Sequence, residues 1–173
     1  NYKWKFNLVD DNQANAFCLP GGKVVVYTGI LKYAKNDDQL ATVISHEVAH
    51  ALARHGAERV TQGMIQQGVG ILGSVAVAAT APQYQNAFNQ AYGLGSNLGV
   101  MLPYGRMQES EADEIGIYLM HKAGYNVNEA TKFWENMSEG KSGGNDFFST
   151  HPSSQNRTKD IQTVINKIGN ESK

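Results

Sequence analysis

The stretch from Asp37 to about His55 constrains this chain most. Leu40, Val43, Ile44, Val48, Ala51 and Leu52 cover much of the circumference of a helix there. A helix apolar on most of its sides is a buried one. Asp37 and Asp38 read as its N-caps. Yet His46, Glu47 and His50 stand in its middle. Two imidazoles and a carboxylate in an apolar setting all need partners, so the fold must bring polar groups to this helix.

His46-Glu47-Val48-Ala49-His50 is an HExxH pattern. Residues i and i+4 share a helix face, so both imidazoles can reach one metal ion. Glu47 adjoins the first ligand, where it can reach a water at the metal without binding the metal itself. The bland alternative is two satisfied helical histidines, and the buried setting weighs against it.

A catalytic zinc site needs a third protein ligand and an open position. The candidates lie in Glu109-Ser110-Glu111-Ala112-Asp113-Glu114, within a helix predicted over Arg106–Ala123. At about 100° per residue, Glu109, Ala112, Asp113, Gly116 and Met120 share one face that is otherwise small or apolar. Glu111, Glu114, Tyr118 and Lys122 form the opposite, polar face. A carboxylate on the inward face needs a reason to be there. Glu109 is therefore the expected third ligand. Asp113, one turn later, is the natural acceptor for a ligand imidazole's other N–H.

The rest of the chain is read around this pair of helices. Lys3 to Leu8 alternates polar and apolar residues, as a half-buried strand does. Pro20-Gly21-Gly22 is a turn, and Lys23 to Tyr27 is a second strand. Further helices are predicted over Asn128–Ser138 and Ser154–Ile168. Gly124 is expected to cap the helix before it, and Gly143-Gly144 to mark a loop. The expected fold is α+β, mostly helical, with a small β-sheet beside the HExxH helix. A length of 173 residues suits a single domain over 1–173.

Residues 60–105 contain no Asp, Glu, Lys or Arg. This segment reads as a buried or weakly ordered helical insertion. The functional alternative is a lid, or a surface that meets a membrane or a partner protein. Its most apolar part, Gly68 to Ala81, is shorter than the roughly 20 residues that span a bilayer.

Lys and Arg total 15 against 16 Asp and Glu, a formal net charge of −1. That excludes nucleic-acid binding by bulk electrostatics. Cys18 is the sole cysteine, which excludes an internal disulfide and a Cys-rich zinc site. It reads as a small packed hydrophobe. His55 lies five residues after His50, off the ligand face, and His121 lies on the polar side of its helix. Both are expected to face solvent. Asn1 stands where a start methionine would, as in a trimmed or processed chain.

Taken together, these features resemble the zinc metallopeptidases of the HtpX-like and CAAX-prenyl-protease-like group. The resemblance runs through Asn15-Ala16-Phe17 before Pro20-Gly21-Gly22, and the strand Val24–Tyr27 with Thr28-Gly29. It continues through HEVAH at 46–50, Glu109-Ser110-Glu111-Ala112-Asp113, and Thr150-His151-Pro152 followed by Arg157. These cover nearly the whole chain in the family's order. The resemblance implies a zincin-like metalloprotease domain with one zinc per chain. Its metal ligands would be His46, His50 and Glu109, with Asp113 in support. Members range from integral membrane enzymes to soluble envelope proteases. This chain looks like a soluble or peripherally attached one, placed in a bacterial periplasm or cell envelope.

The function expected is a zinc-dependent endopeptidase acting on polypeptides, with Glu47 as the base and unfolded or misfolded envelope proteins as substrates. His151 has two readings: it helps to line the cleft, where the resemblance implies it can approach the zinc as a fourth ligand, or it is a plain loop histidine before Pro152. Arg157 is either a donor to the oxyanion, a partner of Asp113, or a plain ion pair on the last helix. Val24–Tyr27 is a candidate edge strand that an extended substrate could join. The alternative function is a zinc-containing quality-control or binding module whose activity is latent because His151 closes the site.

Overall fold

A computed structural model of the chain describes residues 2–140, 147–152 and 156–171. Three strands, β1 (Lys5–Val9), β2 (Ala16–Leu19) and β3 (Lys23–Tyr27), form one sheet in the order β1-β3-β2. β1 runs parallel to β3, with Lys5 opposite Lys23 and Val9 opposite Tyr27. β2 runs antiparallel to β3, with Ala16 opposite Val26. The turn between β2 and β3 places Gly21 and Gly22 at φ +86° and +90°, a region L-residues avoid.

Two expectations change here. β3 is the central strand, so it is not the edge a substrate could join; the free edge beside the HExxH helix belongs to β2. β1 is exposed along its whole length rather than half-buried. It lies at the far side of the sheet from β2, and Trp4 before it stacks between Tyr2 and Phe6. β3 is the strand that alternates inward, with Val24 and Val26 buried.

A short 3₁₀ turn (Thr28–Lys32) leads to α1 (Asp37–Leu52). Its N-cap is Asn36, one residue before the expected aspartates. The Asn36 side chain accepts a hydrogen bond from the Gln39 N–H at 2.8 Å. Asp37 and Asp38 occupy the first turn instead, where a helix favours negative charge. α1 ends at Leu52, and Arg54 then adopts a left-handed conformation (φ 60°, ψ 28°) before α2 (His55–Thr80) begins.

α2 packs back against α3 (Gln85–Ser96), which continues through one π turn (Asn97–Met101) into α4 (Leu102–Lys122). Small residues let the pair approach: Gly70 sits against Tyr92 and Gly73 against Phe88. The Tyr92 hydroxyl donates to the Gln66 carbonyl at 2.7 Å. The uncharged segment is thus a helical hairpin, but it is not buried. Val69, Ile71, Leu72, Val75 and Leu94 are all more than half exposed. α2 is also long and apolar enough to cross a membrane by length and composition, with mean hydropathy 1.3 over its most apolar stretch, none of it buried. The helix is longer than the Gly68–Ala81 stretch because it begins upstream, at His55.

The core gathers between the sheet, α1, α4, α5 (Glu129–Glu139), the single turn α6 (Phe147–Thr150) and α7 (Arg157–Glu171). Val43, Ile117, Met120, Phe133, Trp134 and Ile161 are among its fully buried members. α1 and α4 pack most closely, and Gly116 marks the crossing: a Cβ there would lie 3.3 Å from the backbone N of His46. Gly124 ends α4 at φ +82°, as its position predicts. The Gly143-Gly144 loop and residues 153–155, where the last predicted helix would begin, lie outside the described residues. The architecture is α+β and mostly helical, with the small sheet beside the HExxH helix.

Candidate metal centre

The site lies where α1 crosses α4 and α6 closes over the crossing. α1 supplies His46, Glu47 and His50; α4 supplies Glu109 and Asp113; His151 follows α6, and Arg157 opens α7. All seven are buried. Both carboxylates chosen on the inward face of α4 do face inward, and Glu111 and Glu114 face out.

His46, His50, Glu109 and His151 each bring one ligand atom to a common point, all four atoms within 4.8 Å of one another. His46 Nε2 is 3.1 Å from Glu109 Oε2 and 3.1 Å from His50 Nε2. His50 Nε2 is 3.2 Å from Glu109 Oε1, and His151 Nδ1 is 3.3 Å from Glu109 Oε2. Glu47 does not join the group. Its Oε1 is buried, makes no hydrogen bond among the described residues, and lies 3.5 Å from His151 Nε2.

Electrostatics fit a cation here. Burial works against charge on His46, but its hydrogen bonds to the Asp113 and Glu109 carboxylates outweigh it and raise its pKa to about 9. A place that stabilises positive charge on an imidazole attracts a divalent cation for the same reason. Burial pushes the Glu109 carboxyl up, yet His151, His46 and His50 more than offset that and hold it well below the usual carboxylate range. His50 is lowered to about 3, chiefly by burial, so it stays neutral, the form that ligates metal. Three nitrogens and a carboxylate are a zinc donor set.

Behind the ligands, Asp113 Oδ1 is 2.9 Å from His46 Nδ1 and accepts a hydrogen bond from Arg157 Nη2 at 2.7 Å. Burial raises the Asp113 carboxyl, but the Arg157 charge and the His46 bond hold it below its ordinary value. Arg157 also lies over Trp134, its guanidinium carbon 3.3 Å from the ring centroid. Of the three readings of Arg157, the geometry brings it to Asp113 rather than to the cleft. His151 stacks on Phe147 with ring centroids 4.2 Å apart.

The sequence reading missed one residue. His55 is 1% exposed rather than solvent-facing, and it touches His50 directly. The i+5 spacing misled because α1 does not continue through it. His121 is exposed, as expected. Burial, with the Glu47 charge adding to it, pushes the Cys18 thiol up to about 11, which leaves it a poor nucleophile.

The metal group opens onto a cleft of about 720 Å³. β2 forms one wall with Phe17, Cys18 and Leu19; Glu47, His50, His55 and His151 line the other side. A buried acid beside a group that could hold a cation thus lines a groove bordered by the β2 edge.

The sequence profile of peptidase family M48 matches residues 1–165. The mitochondrial metalloendopeptidase OMA1 of Arabidopsis thaliana is 42% identical over 159 residues, covering 90% of this chain and 30% of that protein. The OMA1 of Schizosaccharomyces pombe is 40% identical over 163 residues, covering 92% and 46%. The beta-barrel assembly-enhancing protease of Escherichia coli K12 is 30% identical over 169 residues, covering 94% and 34%. The chain thus spans less than half the length of these relatives. The chain belongs to peptidase family M48, and its buried histidine–glutamate group has the donors to hold a zinc ion.

Proposed function

We propose that this domain, residues 1–173, hydrolyses internal peptide bonds of unfolded or misfolded polypeptides in a bacterial periplasm or cell envelope. The observation that carries the chemistry is Glu47 Oε1, a buried carboxylate oxygen without a hydrogen bond among the described residues, beside the four-residue metal group. His46, His50 and Glu109 would hold the zinc. Zinc bound there supplies Lewis acidity, acidifying a water and polarising the scissile carbonyl.

Glu47 accepts the water's proton and delivers it to the leaving amine. Burial raises its carboxyl pKa, against the lowering pull of His151 and His46, and that makes the proton easier to hold between the two steps. His151, across the cleft from β2, is a donor for the oxyanion. Asp113 takes the His46 Nδ1–H and keeps Nε2 for the metal, and Arg157 holds Asp113 in its charged form. An extended substrate pairs with the free edge of β2. Main-chain pairing reads backbone more than side chains, which suits unfolded substrates. The exposed, uncharged α2–α3 hairpin supports a peripheral contact with a membrane or partner protein.

The test is Glu47→Gln. We expect zinc content to be retained and cleavage of an unfolded protein substrate to fall by about 10²-fold or more. Unchanged cleavage would remove Glu47 from the mechanism.

A second reading rests on His151 itself. It is 5% exposed and already within the metal group, so it can act as a fourth ligand that closes the site, as in structural zinc centres. The protein is then a zinc-containing quality-control or binding module with latent activity. His151→Ala separates the two. Increased proteolysis means a latent enzyme, and no activity in either form favours a binding module.

A further inference from the structure

His46 and His50 are ligands of one pattern, but the fold supports them differently. Behind His46 stands Asp113, whose carboxylate accepts the Nδ1–H. Behind His50, among the described residues, stands a second imidazole instead of a carboxylate. His50 Nδ1 is 2.8 Å from His55 Nδ1, and His55 Nε2 is in turn 3.2 Å from Glu111 Oε2. The two rings meet nearly edge to face, 73° apart, with centroids separated by 4.9 Å.

The protons on this chain have a direction. A carboxylate oxygen only accepts, so Glu111 selects the His55 form with hydrogen on Nε2. In that tautomer His55 Nδ1 carries the lone pair. His50 must donate its Nδ1–H to that lone pair, which leaves His50 Nε2 bare and aimed at the metal group. The reverse order would put a hydrogen on His50 Nε2 and abolish its capacity to ligate.

The backbone is bent to make this contact. Arg54 is the sole non-glycine residue with positive φ among the described residues, and it separates α1 from α2. A left-handed non-glycine residue costs of order 1 kcal/mol or more and persists where surrounding structure compels it. Here it turns the chain so that His55 folds back onto His50 and is buried there. The Gln108 amide donates to the His55 carbonyl at 3.4 Å and ties the first turn of α2 to α4.

We infer that His55 is a positioning residue of the metal centre: held by Glu111, it accepts the Nδ1–H of His50 and fixes the tautomer through which His50 binds metal. The inference rests on the zinc reading of His46, His50 and Glu109.

The experiment measures zinc affinity of the full chain by competition with a chromophoric chelator, beside wild type. His55→Phe keeps the ring's bulk and removes the acceptor. His55→Gln restores an acceptor. We expect His55→Phe to weaken zinc binding about 10–100-fold, and His55→Gln to recover most of that loss. The d–d absorption of the cobalt-substituted protein should change in His55→Phe and return toward wild type in His55→Gln. Equal affinity in all three proteins would overturn the inference while leaving the zinc site standing. Wild type that takes up no zinc would overturn both. Should His55→Phe fail to fold, ¹⁵N shifts of the histidine rings in zinc-loaded wild type decide the matter. Hydrogen on His50 Nδ1 and His55 Nε2 supports the inference; hydrogen on His55 Nδ1 refutes it.

Discussion

Replacing Arg157 with leucine should cost this domain a large part of its stability, although the residue touches no ligand atom of the metal group at bonding distance. Arg157 is 5% exposed, donates to the buried Asp113 carboxylate at 2.7 Å, and lies over the Trp134 ring. Leucine keeps apolar volume against the indole but leaves Asp113 charged and buried. Breaking a buried pair on one side costs about 3–5 kcal/mol. The lost cation–π contact adds up to about 2 kcal/mol, part of which leucine returns by packing on the same ring. A net loss of about 4 kcal/mol is expected. In a domain of this size each kcal/mol moves Tm by about 2–4 °C, so Tm should fall by about 8–16 °C. Adding Asp113→Asn to Arg157→Leu removes the stranded charge, so the double variant should be more stable than the sum of the singles by about 1–3 kcal/mol. Urea unfolding followed by circular dichroism measures all four proteins. It is done with chelator present, so that zinc binding does not enter the balance. A loss under about 1 kcal/mol in Arg157→Leu, or strict additivity, would refute the claim that the pair is a buried charge balance.

Other perturbations have equally definite outcomes. Gly29→Ala would place a Cβ 2.2 Å from the Gln13 carbonyl oxygen and 2.3 Å from that of Asn12, both backbone atoms that cannot swing away. It should destabilise by about 1–3 kcal/mol or more in the same unfolding assay. Gly116→Val should separate α1 from α4 at His46 and lower both stability and zinc affinity, whereas Gly56→Ala, with open space around its Cβ, should gain up to about 1 kcal/mol. Hydrogen bonds from Lys132, Asn36 and Gln39 hold the Glu129 carboxyl down to about 2. Its ordinary value is about 4.3, so its contribution to folding is complete above that pH and is lost as pH falls toward 2. Glu129→Gln should therefore flatten the acid limb of stability between pH 4 and 2, read from Tm against pH. Zinc removal should lower Tm, and readdition should restore it, by an amount that grows with free zinc.

The parts of the site written in local periodicity were legible in the sequence. HExxH on one helix and the inward face of 106–123 follow from 100° per residue, and the structure does bury Glu109 and Asp113 while exposing Glu111 and Glu114. The same rule failed for His55, for a physical reason: periodicity holds only while the helix does, and Arg54 ends it with one left-handed residue that carries no glycine or asparagine signature. Strand order was hidden for another reason. Val24-Val25-Val26 marks a strand, but which strand pairs with it on each side is decided by tertiary contacts, and parallel pairing with β1 puts β3 in the middle. The cap moved from Asp37 to Asn36 because adjacent cap-forming residues compete, and the winner is set by where the chain leaves the 3₁₀ turn. The α2–α3 hairpin is the sharpest case. Its apolar residues suit a buried or weakly ordered insertion because apolar side chains seek burial, yet Leu72 and Leu94 are left at the surface. Pattern reports that a side chain prefers to leave water, and not what it leaves water for. Gly70 and Gly73 show that the hairpin's internal face is used up in packing α2 on α3. What remains outside is apolar surface that no other element covers among the described residues, which is why the pattern alone could not tell a core helix from an exposed one.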